Sequence, residues 1–163
     1  MGAIDPGMRI TASCLFLLTL TTAAVDVGRL HTSHNMPASL RFVALILFTL
    51  SGSLQAWAMA LNPFFSPGVR LQEERGHHVI DSGPYRYLRH PGYLAMLISI
   101  PTTAVAIGSW LALVPATGFA VVIVRRAKME DEFPKNNLPD YRTYANQVRG
   151  GLFPDVRTPA DRA

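Results

Sequence analysis

The sequence is short of charge. Asp, Glu, Lys and Arg make up 16% of its 163 residues, against roughly 25% in an average soluble domain, and the deficit is concentrated rather than uniform. Residues 10–25, 42–61 and 93–124 carry no charged side chain, the last segment being broken near Gly108-Ser109. A soluble helical bundle keeps a polar stripe along each helix; residues 42–50 and 104–124 offer only Ser, Thr and Gly, which argues against that class. Cysteine is nearly absent as well. The single Cys14 lies inside the first apolar segment, so no intrachain disulfide is possible, and it reads as a small core or lipid-facing residue rather than a nucleophile. Internal repeats and low-complexity segments are missing. No metal site is expected: His31 and His34 have no third ligand nearby, and the adjacent His77-His78 cannot ligate one ion from a single helix face.

What is there follows from the uncharged segments. A membrane-crossing helix needs about 17 to 25 mostly apolar residues, fewer where the bilayer thins, which gives four spans, over residues 10–25, 40–61, 93–107 and 110–124. The fold class is therefore all-α, a polytopic helical membrane protein with about four transmembrane helices. Residues 1–7 precede a second methionine, Met8, and read as an appended leader; residues 8–163 make one domain. The net charge of +4 does not point to nucleic acid, because of where the charge lies. With four spans, every basic residue except Arg29 and Arg41 falls on the side of the termini and of the 62–92 loop. The positive-inside rule puts that side in the cytoplasm, as expected for a multi-pass protein of a bacterial cytoplasmic membrane, with some of the basic tail available to anionic lipid headgroups.

Residues 81–93, Asp-Ser-Gly-Pro-Tyr-Arg-Tyr-Leu-Arg-His-Pro-Gly-Tyr, organise the rest. Proline fixes its own φ and restricts the residue before it, so Gly83-Pro84 and His90-Pro91-Gly92 confine Tyr85, Arg86, Tyr87, Arg89, His90 and Tyr93 to one short piece just before an apolar run. The third and fourth spans are only about 15 residues long, a length of about 22 Å. Their turn at Gly108-Ser109 brings residues 90–93 close to residues 125–132. Pro101 and Pro115 are expected to kink these spans, and Gln55 is the one strongly polar residue of the second. Beyond the fourth span Arg126 and Glu130 are four apart and share a helical face, with Asp131 pointing elsewhere. Tyr141, Ala145, Val148 and Leu152 then recur at helical spacing, as in an amphipathic helix lying on the cytoplasmic face.

Gly83-Pro84-Tyr85-Arg86-Tyr87, Arg89-His90-Pro91 and Tyr93, followed by Glu130-Asp131 and then Leu138-Pro139, Tyr141, Tyr144 and Val148, resemble the isoprenylcysteine carboxyl methyltransferase family and the related phospholipid methyltransferases. The resemblance covers residues 76–154. It departs at Ala95, where many members have glycine, and at Asp131, which replaces the second glutamate of the common pair. Membership implies an integral membrane enzyme that uses S-adenosyl-L-methionine without a Rossmann domain, and no glycine-rich strand-to-helix loop occurs here.

That cofactor is a zwitterion bearing a sulfonium. On the resemblance, His90 and Arg89 would face its carboxylate and Glu130 its ammonium, with Tyr85, Tyr87 or Tyr93 stacking and Pro91 completing the binding set. Arg86 or Arg126 would orient a carboxylate acceptor; an amine or hydroxyl acceptor would need Glu130 or His90 as base. The expected partner is a lipophilic molecule or lipid entering from the bilayer, with no nucleic acid. The rival readings are an NADPH-dependent membrane reductase related to sterol reductases and a non-catalytic membrane scaffold.

Overall fold

The computed structural model describes residues 6–62, 80–137, 144–145, 147–148 and 150–153, with the side chains of Pro6 and of residues 131–137 left aside. Among these the regular structure is helical. Four long helices, α1 (Pro6–Val25), α2 (Ala38–Leu61), α3 (Pro91–Ile107) and α4 (Leu113–Asn137), account for most of it. A π-helical turn, Asp26–Leu30, prolongs α1, and a 3₁₀ turn, Gly83–Arg86, precedes α3. Gly7–Leu30 and Ala38–Leu61, of 24 residues each, are long and apolar enough to cross a membrane, and Pro91–Ile107 is a shorter apolar helix. Only 17% of the most apolar window of each long helix is buried in the protein. A core helix of a soluble protein would be mostly covered, whereas here Phe42, Leu50 and Leu17 stand out into the surroundings.

Small residues set the packing. α2 lies along α3, burying Ala44, Ser51 and Ala58 at seven-residue spacing, so two backbones approach with little side-chain bulk between them. On the other side α3 meets α4 and α1. Ile100, Ala116, Phe119 and Ile123 form the larger core cluster, against which Ala12, Leu15, Tyr93, Met96 and Leu97 pack. Ala23, Ala104 and Ala112 form a second, tighter one near the α3–α4 turn.

That turn is fixed from three directions. Gly108, in the left-handed region at φ 105°, ends α3 and returns its N–H to the Ala104 carbonyl. Arg41, at the start of α2, donates to the carbonyls of Ile107 at 3.1 Å and Ala106 at 3.4 Å, placing a cation at the negative end of α3. The third tie is Asp26, which is fully buried. Its Oδ1 accepts from the Thr32 amide at 3.1 Å and from the Thr32 hydroxyl; its Oδ2 accepts from Ser33 and Ser109, each at 2.6 Å. Ser33 in turn accepts from the Trp110 amide at 2.8 Å and Ser109 from the Ala112 amide at 3.1 Å.

One expectation changes. Pro115 sits in the first turn of α4, where helix amides lack partners in any case, so it starts the helix instead of kinking it; Pro101 does lie inside α3. Asp26, just past the end of α1, is buried as an acceptor for two further segments, Thr32-Ser33 and Ser109. The amphipathic helix expected after Tyr141 falls largely outside the described residues, as does the His77-His78 pair.

Removing the Asp26 carboxylate strands the buried hydroxyl donors of Ser33 and Ser109. Asp26→Ala should lower the thermal midpoint in detergent by about 5 °C or more, whereas Cys14→Ser, at an exposed position, should shift it by less than about 2 °C. Trp110 fluorescence is a suitable readout, and equal midpoints in the two variants would contradict the tie.

Candidate functional site

The break before α3 sorts the motif's side chains. Gly83 adopts φ 55°, and a side chain there would run into Leu61 and Trp57 of α2, so the 3₁₀ turn is pressed directly onto the end of that helix. Tyr85 is consequently buried. Its hydroxyl donates to the Ala58 carbonyl at 3.3 Å and accepts from Asn62 Nδ2 at 3.2 Å. Burial raises its pKa above the ordinary 10.0, with the Asn62 hydrogen bond working in the opposite sense. Tyr87 points out, two-thirds exposed, and Arg86 is exposed beside it.

Pro91 occupies the first position of α3, where its missing donor costs nothing. It leaves His90 as the flanking residue, whose carbonyl accepts from the amides of Tyr93 and Leu94 at 3.1 Å each. One turn into α3, Tyr93 faces α4. Its hydroxyl donates to Glu130 Oε1 at 2.5 Å, and Arg126 Nε donates to the same oxygen at 3.0 Å. The Arg126 guanidinium carbon lies 5.5 Å from the centre of the Tyr93 ring, within cation–π range, and the His90 and Tyr93 ring centres are 5.8 Å apart at 34°. The side chains of Arg126 and Glu130 keep 12% and 17% of their surface exposed. The cluster is thus desolvated enough for its charges to matter and open enough to be reached.

Of the residues singled out from the sequence, the structure brings together His90, Tyr93, Arg126 and Glu130, with Pro91 buried beneath them. Tyr85 is turned into α2, and Arg86 and Tyr87 stand outside. Arg89 faces another way, toward the carboxyl-terminal segment: its guanidinium donates to the Val148 carbonyl at 2.7 Å and the Ala145 carbonyl at 3.4 Å. Sequence reading gave no site role to Asn62 or Tyr144, the latter donating to the Tyr85 carbonyl at 2.7 Å. The only signal for Tyr144 was its place in the second half of the motif. Among the described residues no group of three or more His, Cys, Asp or Glu is arranged for a metal.

Chemically the cluster offers a carboxylate, a guanidinium, an imidazole and an aromatic face, a set suited to a small zwitterion. A family model described as the isoprenylcysteine carboxyl methyltransferase (ICMT) family matches residues 43–133, more than half of the chain. The matched region begins in α2 and takes in the 3₁₀ turn, α3, Tyr93, Arg126 and Glu130. Among curated proteins none matches.

The displaced titration of Tyr85 has a definite sign. A raised folded-state pKa means that the unfolded chain loses this proton first, so the contribution is full below about pH 10 and falls as pH rises beyond it. Wild type should therefore lose stability above pH 10 more steeply than Tyr85→Phe, while the variant should be less stable by about 1 kcal/mol at neutral pH. Denaturant unfolding at pH 7, 9 and 11 checks both; parallel pH curves would contradict the buried phenol.

Proposed function

The chain belongs to the isoprenylcysteine carboxyl methyltransferase family, and from that premise we propose that it is a membrane-embedded methyltransferase that uses S-adenosyl-L-methionine and acts on a lipophilic acceptor. The observation that carries this is the convergence of Tyr93 and Arg126 on a single oxygen of Glu130 at the end of an apolar helix pair. Charged groups beside a bilayer are costly unless paired or serving a ligand. Both donors bind Oε1, which leaves Oε2 to receive an ammonium. The carboxylate of the same ligand falls to His90, and the rings of His90 and Tyr93 offer an apolar face.

The residues present fit such a ligand. When bound, the cofactor supplies a methyl group activated by the adjacent sulfonium. The chain's own residues then position and desolvate. Methyl transfer is an in-line displacement at carbon, and the largest contribution open to the protein is to hold nucleophile and methyl at near-attack distance in a water-poor cleft. A carboxylate acceptor asks for no base, only for an orienting cation, and Arg126 stands on the cluster while Arg86 stands outside it. An amine or hydroxyl acceptor would use Glu130 or His90 to take its proton.

The reading includes four spans, with α3 and α4 forming a short hairpin. The site and both termini lie on the cytoplasmic side, in keeping with the basic residues there. The acceptor enters laterally from the lipid.

Calorimetric titration of the detergent-purified protein with S-adenosylmethionine, S-adenosylhomocysteine and NADPH tests this directly. The two adenosyl compounds should bind and NADPH should not. His90→Ala and Glu130→Ala should each weaken adenosyl binding about tenfold or more, the loss expected for a charge-assisted hydrogen bond. A folded wild type that binds none of them would overturn the proposal, and NADPH binding would favour a reductase.

A further inference from the structure

The stitching of the carboxyl-terminal segment to the motif gives Arg89 a role different from ligand binding. The Arg89 amide donates to the Gly150 carbonyl at 2.9 Å, and the His90 amide to the Gly151 carbonyl at 3.2 Å. The Arg89 guanidinium reaches the carbonyls of Val148 and Ala145, and a Cβ on Gly151 would lie 3.4 Å from one of its terminal nitrogens. At the other end, Tyr144 holds the Tyr85 carbonyl at 2.7 Å. Tyr144 and Ala145 are buried, as is Gly150. The backbone leading into His90 is thereby paired to the carboxyl-terminal segment, whose described residues Tyr144, Ala145, Val148, Gly150 and Gly151 form a strap beside it.

We propose that Arg89 is a positioning residue that clamps this strap beside the cofactor site, so that the strap walls the site next to His90 and Arg89 itself makes no contact with the cofactor's carboxylate. The proposal rests on the methyltransferase reading for the identity of the ligand. A guanidinium is well matched to such a clamp, because each terminal nitrogen carries two N–H donors and here Nη1 alone serves both carbonyls, which, at the end of a helical turn, carry excess negative charge. With the strap in place, the His90 amide is bonded and its backbone is fixed. With the strap loose, the imidazole opposite Tyr93 loses its support, and the whole ligand is affected, not one end of it.

Two probes separate this from direct contact. S-adenosylhomocysteine carries the amino-acid carboxylate, whereas 5′-methylthioadenosine lacks the amino-acid moiety altogether. A clamp predicts that Arg89→Ala weakens both ligands by the same factor, about fivefold to tenfold, and that Tyr144→Phe, which loosens the strap without touching Arg89, weakens both to a smaller extent. Hydrogen exchange of the peptides holding the Arg89, His90 and Val148 amides should rise in both variants, and Arg89→Lys should recover only part of the protection. Loss confined to S-adenosylhomocysteine in Arg89→Ala would overturn the proposal, and so would unchanged exchange in the two variants. Should wild type bind neither adenosyl compound, the methyltransferase reading fails, and the exchange comparison still decides whether Arg89 clamps the strap.

Discussion

A carboxylate in a low-dielectric surrounding cannot stand alone, because the cost of stripping its water is returned only by well-placed donors. This chain puts one at each end of the same helix pair, and most of the architecture can be understood as the means of satisfying them. Asp26 sits by the α3–α4 turn, with both oxygens occupied by hydroxyls and an amide from two further stretches of chain. Glu130 sits at the opposite end, with both of its donors among the described residues on one oxygen. The difference suits them to different tasks. A fully saturated carboxylate holds elements together and has nothing left for a ligand. One that keeps an oxygen available beside an imidazole and an aromatic ring is equipped to receive a cation.

The helices were legible because the charge deficit is concentrated, and a long uncharged run leaves a chain few choices when its backbone must satisfy itself. The approach of Tyr93 to Glu130 was legible too, since two short antiparallel helices with one tight turn return the chain to its starting surface. The partners of Asp26 were not. Ser109 lies 83 residues away, and a serine beside a glycine reads as turn chemistry whether or not it faces a carboxylate. Arg41 capping α3 was hidden for the same reason: capping by a distant residue has no local period. Pro115 misled because proline within an apolar run looks like a kink until the helix is seen to begin two residues earlier.

Three tyrosines within nine residues meet three different fates, and the cause is backbone geometry. Tyr85 lies in a 3₁₀ turn pressed on α2 by a glycine that leaves no room for a side chain, and its hydroxyl serves a helix carbonyl. Tyr87 follows where the turn ends, and it faces outward. Tyr93 lies past the His90-Pro91 break, on a regular helix whose register aims it at α4. Residue type alone made all three equal candidates for stacking on a ligand. Only the position of each relative to the 3₁₀ turn and to the His90-Pro91 break separates them.

On the proposed reading, the unequal lengths of α3 and α4 set the depth of the chemistry. α3 has 17 residues, which spans about 25 Å at 1.5 Å per residue and falls short of a hydrocarbon core of about 30 Å. In the four-span arrangement proposed above, its amino-terminal end, with Pro91, Gly92 and Tyr93, is drawn within or just at the apolar layer. α4 runs beyond that level and carries Arg126 and Glu130 past the last apolar residue of the run, Val124. In that arrangement the proposed acceptor, lying among the lipid chains, presents its polar end at the height of the cluster without leaving the bilayer. The paired charges also stay near enough to the interface to be spared the full cost of burial. Lengthening α3 by one turn would raise His90 and Tyr93 by about 5.4 Å against α4, more than the hydrogen bond between Tyr93 and Glu130 could span, so the shortness of this helix is a condition for assembling the site.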